Sequence, residues 1–179
     1  MLFKADFEKA FDTVNWNFLL SIMYQMGFGS KWCSWIQSCL KLALVSVLIN
    51  GSPTKEFNME RGLRQGDPLS PFLFLLVGEA LQVMVSEACN KSLFQGVRLS
   101  RNNRNLSLLQ FADDSLFFGK WSRRNVENLT KILHCFYEVS GLKINLSKCN
   151  LFGIGVSHGE VVQWLKELIV RNQKFLLCI

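Results

Sequence analysis

Leu108-Leu109-Gln110-Phe111-Ala112-Asp113-Asp114-Ser115-Leu116-Phe117-Phe118 is the stretch that decides the fold, because it sets two apolar runs on either side of a pair of adjacent acids. The pattern predicts a strand, a tight turn and a returning strand, with Asp113 and Asp114 at the tip and both flanking runs buried. Adjacent carboxylates repel each other, which is tolerated in water or where a cation bridges the pair. Asp is also a common turn residue, so the hairpin by itself favours a solvated tip.

The composition is that of a basic domain with a substantial core. The 179 residues suit one domain or most of one. The apolar fraction of 49% and the mean hydropathy of +0.17 are high for a soluble domain. We therefore expect some apolar surface to meet a partner or a missing segment, and the isolated chain to be poorly soluble. A formal charge of +6 favours an anionic partner, with nucleic acid as the first candidate.

Cysteine usage and the lack of targeting patterns predict an intracellular protein. The six cysteines form no C-x-x-C pair and there are two histidines, so reduced thiols are favoured over a zinc site. No apolar run approaches the ~18 residues that a membrane span needs, and the start of the chain lacks a signal-peptide pattern. We therefore expect no membrane partner.

The spacing of apolar residues predicts an α+β fold, in which helices back one face of an antiparallel sheet. Besides the central hairpin, strands are expected at about 2–7, 43–49, 97–99, 142–144 and 149–152. Asn50-Gly51 predicts a type I′ hairpin turn. Helices are expected at about 14–26, 31–41, 71–89 and 124–140, with a last one from about Gly159 to Val170.

Capping residues predict where these helices begin, and stripes of apolar residues predict which sides of them are buried. Asp12 or Thr13 is expected to cap the first helix, and Ser70 with Pro71 to open the third. The residues expected on buried sides are Val14, Phe18, Ile22 and Met26 in the first helix; Trp32, Trp35, Ile36, Cys39 and Leu40 in the second; Leu69, Phe72, Leu73, Leu76, Ala80, Val83 and Met84 in the third; and Val126, Leu129, Leu133 and Phe136 in the fourth.

Asp6 ends the first predicted strand, so three carboxylates meet at one sheet edge if that strand neighbours the acidic hairpin. Carboxylate oxygens suit Mg²⁺, which is usually held by one or two carboxylates together with substrate phosphates. A pair of such ions supports phosphoryl transfer, the chemistry of polymerases and many nucleases. Taken alone, Asp6 is more simply explained as a solvated acid at a strand end, where strands near a chain terminus also fray.

Four segments in order resemble the palm motifs of reverse transcriptases. They are Lys4–Asp12, Gly62–Pro71, Phe111–Asp114 and Ser140–Asn145, the last followed by Lys148. Their order and spacing are most similar to reverse transcriptases of non-LTR, LINE-type retrotransposons, of the kind abundant in plants. The resemblance implies the reverse-transcriptase palm fold and RNA-directed DNA polymerase activity, with RNA template, DNA primer and deoxynucleoside triphosphates as partners.

The resemblance also implies a metal site. Asp6 and Asp113 match the acids that hold both metal ions in the family, and Asp114 matches the more peripheral second acid. The carbonyl oxygen of Phe7 would be a further ligand. The ions implied are two Mg²⁺, with Mn²⁺ as the substitute.

Other matched positions imply contacts with the nucleotide. Phe11 falls where the family places an aromatic ring beneath the sugar, although a plain core position is an equal alternative. Gln65 and Gly66 match the loop that lies against the incoming nucleotide and template. Arg64 beside them would contact phosphate, with a solvated loop charge as the alternative. A lysine of the fourth motif would protonate the pyrophosphate leaving group. Lys143 and Lys148 are both candidates, with ordinary surface lysines as the alternative.

Family members place a fingers segment before the first motif and a thumb after the palm, so we expect both to be largely missing here. Residues 1–153 are expected to form a partial palm, and 154–179 a helical segment that begins the thumb connection or is unrelated. The missing fingers and thumb of a parent polyprotein would then be partners. An intact element of this kind is expected to act in the nucleus.

Three alternatives stay open. The chain could be an inactive remnant that binds nucleic acid weakly at most. It could be an RNA-dependent RNA polymerase, which shares the palm and its acids, although Phe11 beneath the sugar argues against ribonucleotide use. A metal nuclease is a weaker alternative, because it leaves the segment Gln65–Pro68 unexplained.

Overall fold

The computed structural model describes residues 1–99, 105–157, 159–164 and 166. The helices are α1 (Ala10–Thr13), α2 (Trp16–Gln25), α3 (Ser30–Lys41), α4 (Ser70–Asn90) and α5 (Arg123–Ser140). The strands are β1 (Leu2–Ala5), β2 (Leu44–Val45), β3 (Leu48–Ile49), β4 (Ser52–Pro53), β5 (Phe57–Asn58), β6 (Val97–Arg98), β7 (Asn105–Leu106), β8 (Leu108–Phe111), β9 (Asp114–Phe118) and β10 (Asn150–Phe152). Residues 159–164 are helical, and the remainder of the predicted last helix falls mostly outside the described residues, as does the turn at 100–104.

A four-stranded antiparallel sheet in the order β10-β1-β9-β8 carries the acidic hairpin. Every second residue of β1 and β9 points to the inner face of the sheet, and Phe3, Ala5 and Phe117 are fully buried there. The α+β prediction is therefore confirmed. β1 lies inside the sheet rather than at its edge, and a hydrogen bond from the Gly119 N–H to the Met1 carbonyl closes its start, so the expected fraying is not seen.

The predicted hairpin forms, with Phe111 paired to Asp114 and a two-residue turn between them. Ala112 adopts a left-handed conformation with φ of 52°, which lets the chain reverse within two residues. The prediction that both flanking runs are buried is wrong for the first run. β8 is the edge strand, so only Leu108 at its start is buried, and Phe111 is 84% exposed.

The first helical region begins differently from the prediction. Asp12 and Thr13 belong to the separate short α1 and do not cap α2. Asn15 caps α2, and its Oδ1 accepts hydrogen bonds from the N–H groups of Asn17 (2.9 Å) and Phe18 (3.3 Å). Because the helix starts later and docks on a different face, its buried side is Trp16, Leu19, Leu20 and Met23, while Phe18 and Ile22 are half-buried and Met26 is exposed.

The prediction that the tryptophans of α3 face the core is also wrong. Cys33 and Ile36 are buried, whereas Trp32 is 44% and Trp35 is 53% exposed. Cys33 and Ile36 are three residues apart, so they form a stripe of their own on the helix. A small thiol at that stripe lets α3 pack on α2 without placing a tryptophan between the helices.

The 21-residue α4 is apolar on nearly all sides. Leu73, Phe74, Val77, Ala80, Leu81 and Val85 are among its buried residues. Leu73 and Ala80 were predicted correctly, but Leu69, Phe72 and Val83 are exposed, Phe72 by 67%. An apolar pattern on all sides does not select a face, which explains the error. Leu69 rather than Ser70 occupies the cap position, and Ser70 is itself buried.

By length and composition alone, α4 could cross a membrane, since an 18-residue window has a mean hydropathy of 1.6. This differs from the expectation that no segment approaches such a length, because Glu79 and Glu87 interrupt the run without lowering the average far. Its contacts with α2, α5 and β8 give the helix an ordinary role in a protein core.

The α5 helix matches its prediction closely. Val126, Leu129, Leu133 and Phe136 are buried, and Gly141 ends the helix with a φ of 80°. A Cβ on Gly141 would overlap the Thr13 carbonyl oxygen, so only glycine fits this junction. Ser122 caps the helix start by accepting a hydrogen bond from the Asn125 N–H (3.3 Å).

The side chain of Asn125 joins α5 to two other segments. Its Nδ2 donates to the carbonyls of Gln95 (2.8 Å) and Lys120 (3.0 Å), and its Oδ1 accepts from the Gln95 N–H (2.8 Å). The residue is only 2% exposed, so these backbone groups have little access to water.

We expect Asn125→Ala to lower the free energy of unfolding by about 2–4 kcal/mol, because it leaves buried backbone groups without partners. Urea unfolding followed by circular dichroism measures the loss. Asn128→Ala is the matched control, since Asn128 makes one hydrogen bond, to the Leu93 carbonyl, at a more exposed position. A loss for Asn125→Ala no greater than that for the control would contradict the expectation.

Candidate active site

The register of β1 against β9 brings two of the predicted acids side by side. Ala5 pairs with Ser115, so Asp6 and Asp114, one residue further on and one residue back, lie at the same end of neighbouring strands. Partners in an antiparallel pair point to the same side of the sheet, and Ala5 and Ser115 are buried, so the two acids are directed to the opposite, open side. Asp113 lies in the adjoining turn and is exposed.

The fourth motif docks on the residues that follow β1. Phe7 forms an antiparallel bridge with Ile144, and hydrogen bonds of 2.8 Å join the Glu8 N–H to the Lys143 carbonyl and the Asn145 N–H to the Asp6 carbonyl. The main chain from Asp6 to Glu8 is therefore bonded to the fourth motif. These links fix the main chain at the first predicted metal ligand.

Cys149, just before β10, interacts with Asp6. The pKa of its thiol is raised to about 11, mainly because the thiol is buried; a hydrogen bond from the Asp6 backbone offsets part of the rise, and the Asp6 carboxylate adds to it. The thiol is therefore protonated at neutral pH and places no second negative charge beside Asp6. The sequence motifs did not indicate this neighbour.

Lysines pair with two acids of this region. Lys4 Nζ lies 3.0 Å from Asp114 Oδ1, and Lys143 Nζ lies 3.2 Å from Glu8 Oε2. Lys4 is two residues from Asp6 on the same strand, so it shares the open side of the sheet with both acids. Lys148, the other lysine candidate of the fourth motif, is exposed.

The carboxylates share a sheet edge, but their side chains are not gathered into a cage. Among the described residues, no group of three or more His, Cys, Asp or Glu side chains could hold a metal ion. The backbone of β1 and the hairpin thus brings the three acids to one end of the sheet, as expected. Their side chains are not grouped closely enough to hold a metal ion. The metal roles of Asp6, Phe7, Asp113 and Asp114 stay predictions.

The loop of the second motif is clamped onto the first motif. The Leu63 N–H donates to the Phe11 carbonyl (2.6 Å), the Gly62 N–H to the Val14 carbonyl (2.8 Å), and Trp16 Nε1 to the Gly62 carbonyl (2.6 Å). Gly62 has a φ of 85°, and a Cβ there would lie 2.5 Å from the Asp12 carbonyl oxygen. Only glycine allows this close approach.

The residues predicted to contact the nucleotide come directly after Gly62 and Leu63 in the sequence. Gln65 Nε2 lies 3.5 Å from Asp12 Oδ1, at the limit of a hydrogen bond. Arg64, Gln65 and Gly66 are exposed, and the Cβ position of Gly66 opens into free space with a φ of 86°. The structure therefore brings Gln65 beside the first motif, while Arg64 and Gly66 lie on the accessible surface of the loop.

Phe11 occupies a position between core and surface. Its ring stacks on Phe74 of α4, with ring centres 4.7 Å apart and an interplanar angle of 14°. The ring is half-buried against the core and half accessible. Both interpretations of Phe11, as a packing residue and as a ring beneath a sugar, agree with this position.

Comparison with known proteins identifies the family. The model of the family "Reverse transcriptase (RNA-dependent DNA polymerase)" matches residues 1–173. The chain belongs to the reverse transcriptase family. A Pol polyprotein of the type-1 retrotransposable element R2 of Popillia japonica is 26% identical over 165 residues, which are 92% of this chain and 22% of that protein. An uncharacterized mitochondrial protein of Arabidopsis thaliana is 44% identical over 68 residues, which are 38% of this chain and 56% of that protein.

Solved structures confirm the reverse transcriptase fold. Apo telomerase of Candida tropicalis, truncated from its C-terminal domain, matches with a TM-score of 0.63 at 17% identity, over 88% of this chain and 31% of that one. The same organism's telomerase in complex with a fragment of telomeric RNA matches with a TM-score of 0.62 at 16% identity, over 87% and 26%. The chain thus spans about a quarter of the retrotransposon and telomerase proteins and about half of the plant one.

The environment of Cys149 in this reverse transcriptase palm predicts slow alkylation. At pH 8.5 in iodoacetamide, we expect Cys149 to react about 100-fold or more slowly than an ordinary cysteine, because its raised pKa leaves little thiolate and its side chain is buried. Peptide mapping by mass spectrometry measures the rates. Cys39 and Cys135, which are exposed, serve as internal references, and unfolding in urea should abolish the difference. Equal rates in the folded protein would contradict the predicted contact with Asp6.

Proposed function

We propose that this chain is the palm of an RNA-directed DNA polymerase, which adds deoxynucleotides to a primer on an RNA template during retrotransposition. The observation that carries the proposal is the register that sets Asp6 beside Asp114, with Asp113 in the adjoining turn. Membership of the reverse transcriptase family and the retrotransposon relatives support it.

The donor set fits Mg²⁺, with Mn²⁺ as the substitute. Mg²⁺ is commonly held by one or two carboxylates and completes its shell with water and substrate phosphates, so a protein without a ready cage of three acids is compatible with it. Asp6 and Asp113 would hold the ions, aided by the Phe7 carbonyl. When bound, such ions lower the pKa of the attacking hydroxyl and neutralise charge on the phosphates.

The ion pair of Lys4 with Asp114 suits the more peripheral role of the second acid. A carboxylate already paired at 3.0 Å has part of its charge neutralised, so Asp6 and Asp113 are left as the stronger ligands. Lys4 therefore reduces repulsion among the acids before substrate arrives.

Lys143 is the better supported of the two candidate general acids. Its carbonyl accepts a hydrogen bond from the Glu8 N–H, and its Nζ pairs with the Glu8 carboxylate, so the side chain is held beside the first motif. From there Lys143 would give a proton to the leaving pyrophosphate. Lys148 lies further along the same segment and is exposed.

The second-motif loop and Phe11 would select the nucleotide. Gln65 and Gly66 would lie against sugar and template, and Arg64 would contact phosphate. Phe11, supported from behind by Phe74, would exclude a 2′-hydroxyl by steric overlap. An RNA template is consistent with the telomerase that was solved with an RNA fragment. Fingers and thumb segments of a longer parent polyprotein would complete the grip on the duplex.

A non-catalytic remnant of a retroelement is the second candidate. It is favoured by the absence, among the described residues, of a ready group of three metal-binding side chains and by the lysine on Asp114. Such a protein would bind nucleic acid without extending a primer.

Primer extension separates the two. The purified chain is given oligo(rA) annealed to oligo(dT), dTTP and either Mg²⁺ or Mn²⁺. We expect incorporation that falls at least about 100-fold in Asp113→Asn, because a group that stabilises charge in the transition state is lost. Glu87→Gln, an acid of α4 outside the site, should keep full activity. No incorporation by the unaltered chain with either metal would favour the remnant.

Replacement of Phe11 tests the steric role. We expect Phe11→Val to lower the preference for dTTP over UTP at least about tenfold, since a smaller side chain leaves room for the 2′-hydroxyl. Phe18→Val is the control, because it makes the same change of side chain at a half-buried phenylalanine whose ring contacts Phe136, not Phe74. The assignment would be wrong if both variants kept the original preference.

A further inference from the structure

The outward face of α3 carries an exposed pair of tryptophans. Trp32 and Trp35 are one helical turn apart, and their ring centres lie 6.0 Å from each other at an angle of 66°. Both rings are about half accessible to solvent, whereas Cys33 and Ile36 hold the adjoining side of the helix in the core. Tyr24 and Phe28, at the end of α2 and in the turn that follows, are exposed as well. Aromatic residues are seldom left on a surface in such numbers unless they bind something.

Positive charge accompanies this aromatic surface. Lys31 Nζ lies 5.2 Å from the centre of the Trp35 ring. Lys41 ends the same helix. From Thr13 to Lys55 the chain holds three lysines and no Asp or Glu. The lysines of this segment are therefore not offset by acids of the segment itself, and their positive charge complements a polyanion.

The inner side of α3 borders the second-motif loop. Ile36, Cys39 and Leu40 line the same small cavity as Gly62 and Arg64. The helix α3 is therefore a direct neighbour of the second-motif loop.

We propose that Trp32 and Trp35 form a stacking platform for single-stranded nucleic acid, with Lys31 and Lys41 contacting its phosphates. Successive bases stack on aromatic side chains irrespective of sequence, and lysines beside the rings follow the backbone. The occupant that this chemistry fits best is the unpaired part of the template. That identification rests on the proposed polymerase function, whereas the binding itself does not.

The charge pattern favours a nucleic acid over a protein segment as the occupant. An apolar protein surface would need no cation over the tryptophan ring and no exclusion of acids from the surrounding segment. Stacking and plain apolar contact also respond differently to substitution of the tryptophans. Phenylalanine keeps a flat ring, whereas leucine keeps the apolar area and loses the ring.

Fluorescence anisotropy with labelled oligo(U) and oligo(dT) of about 12 nucleotides tests the platform on the full chain. We expect Trp35→Leu to raise the Kd about 5- to 100-fold for both oligonucleotides, and the double change of Trp32 and Trp35 to leucine to raise it further. Trp35→Phe should stay within about threefold of the unaltered protein, because a ring remains. Lys31→Gln should reduce the slope of log Kd against log salt by about 0.7, the value for one phosphate contact on a single strand.

Phe152→Leu is the matched control, since Phe152 is a similarly exposed aromatic residue on β10. This variant should bind both oligonucleotides as the unaltered chain does. Circular dichroism confirms that each variant folds. Unchanged binding in Trp35→Leu would overturn the proposal, as would a loss seen equally with a blunt duplex. If Trp35→Leu instead abolished self-association and left oligonucleotide binding intact, the face would be a protein interface and the proposal would fail. Binding needs no catalysis, so its failure is distinct from failure of primer extension.

Discussion

Everything at the site depends on the pairing of β1 between β9 and β10. The ladder with β9 places Asp6 beside Asp114. The ladder with β10 lies on the other side of β1, where a hydrogen bond from Asn145 also ties the fourth motif to Asp6. Side chains alternate with a period of two, so a slip of one residue in either ladder would turn Asp6 into the core and expose Phe3. The buried aromatic residues of the inner face therefore fix the position of the acids on the open face. Packing on one side of the sheet sets the chemistry on the other.

A second constraint holds the second-motif loop against the first motif. Gly62 lies so close to the Asp12 carbonyl that no side chain would fit at this position, and the Trp16 indole N–H donates a hydrogen bond to the Gly62 carbonyl. Gln65 reaches the first motif only because this clamp sets the direction of the loop. Arg64 and Gly66 consequently face solvent, where a substrate can reach them.

Local patterns predicted the elements that carry their own signals. The hairpin at Asp113 is marked by two apolar runs around a polar pair, and α5 by a clear apolar stripe that Gly141 ends. The faces of α3 and α4 could not be predicted, because both helices offer two apolar stripes and tertiary contacts choose between them. The pairing of Lys4 with Asp114 and the contact of Cys149 with Asp6 join residues more than a hundred positions apart, so they depend on strand register and leave no local pattern.

The place of β1 in the sheet has a consequence for how the chain reaches its folded state. β1 is enclosed by two strands from the last third of the described sequence, with Leu2 paired to both Phe118 and Phe152. Contacts of such high sequence separation require large loops to close, which slows folding. Asp6 therefore leaves the ribosome more than a hundred residues before the strand that pairs with β1 beside it. Until then the apolar residues around it are open to aggregation and to chaperones.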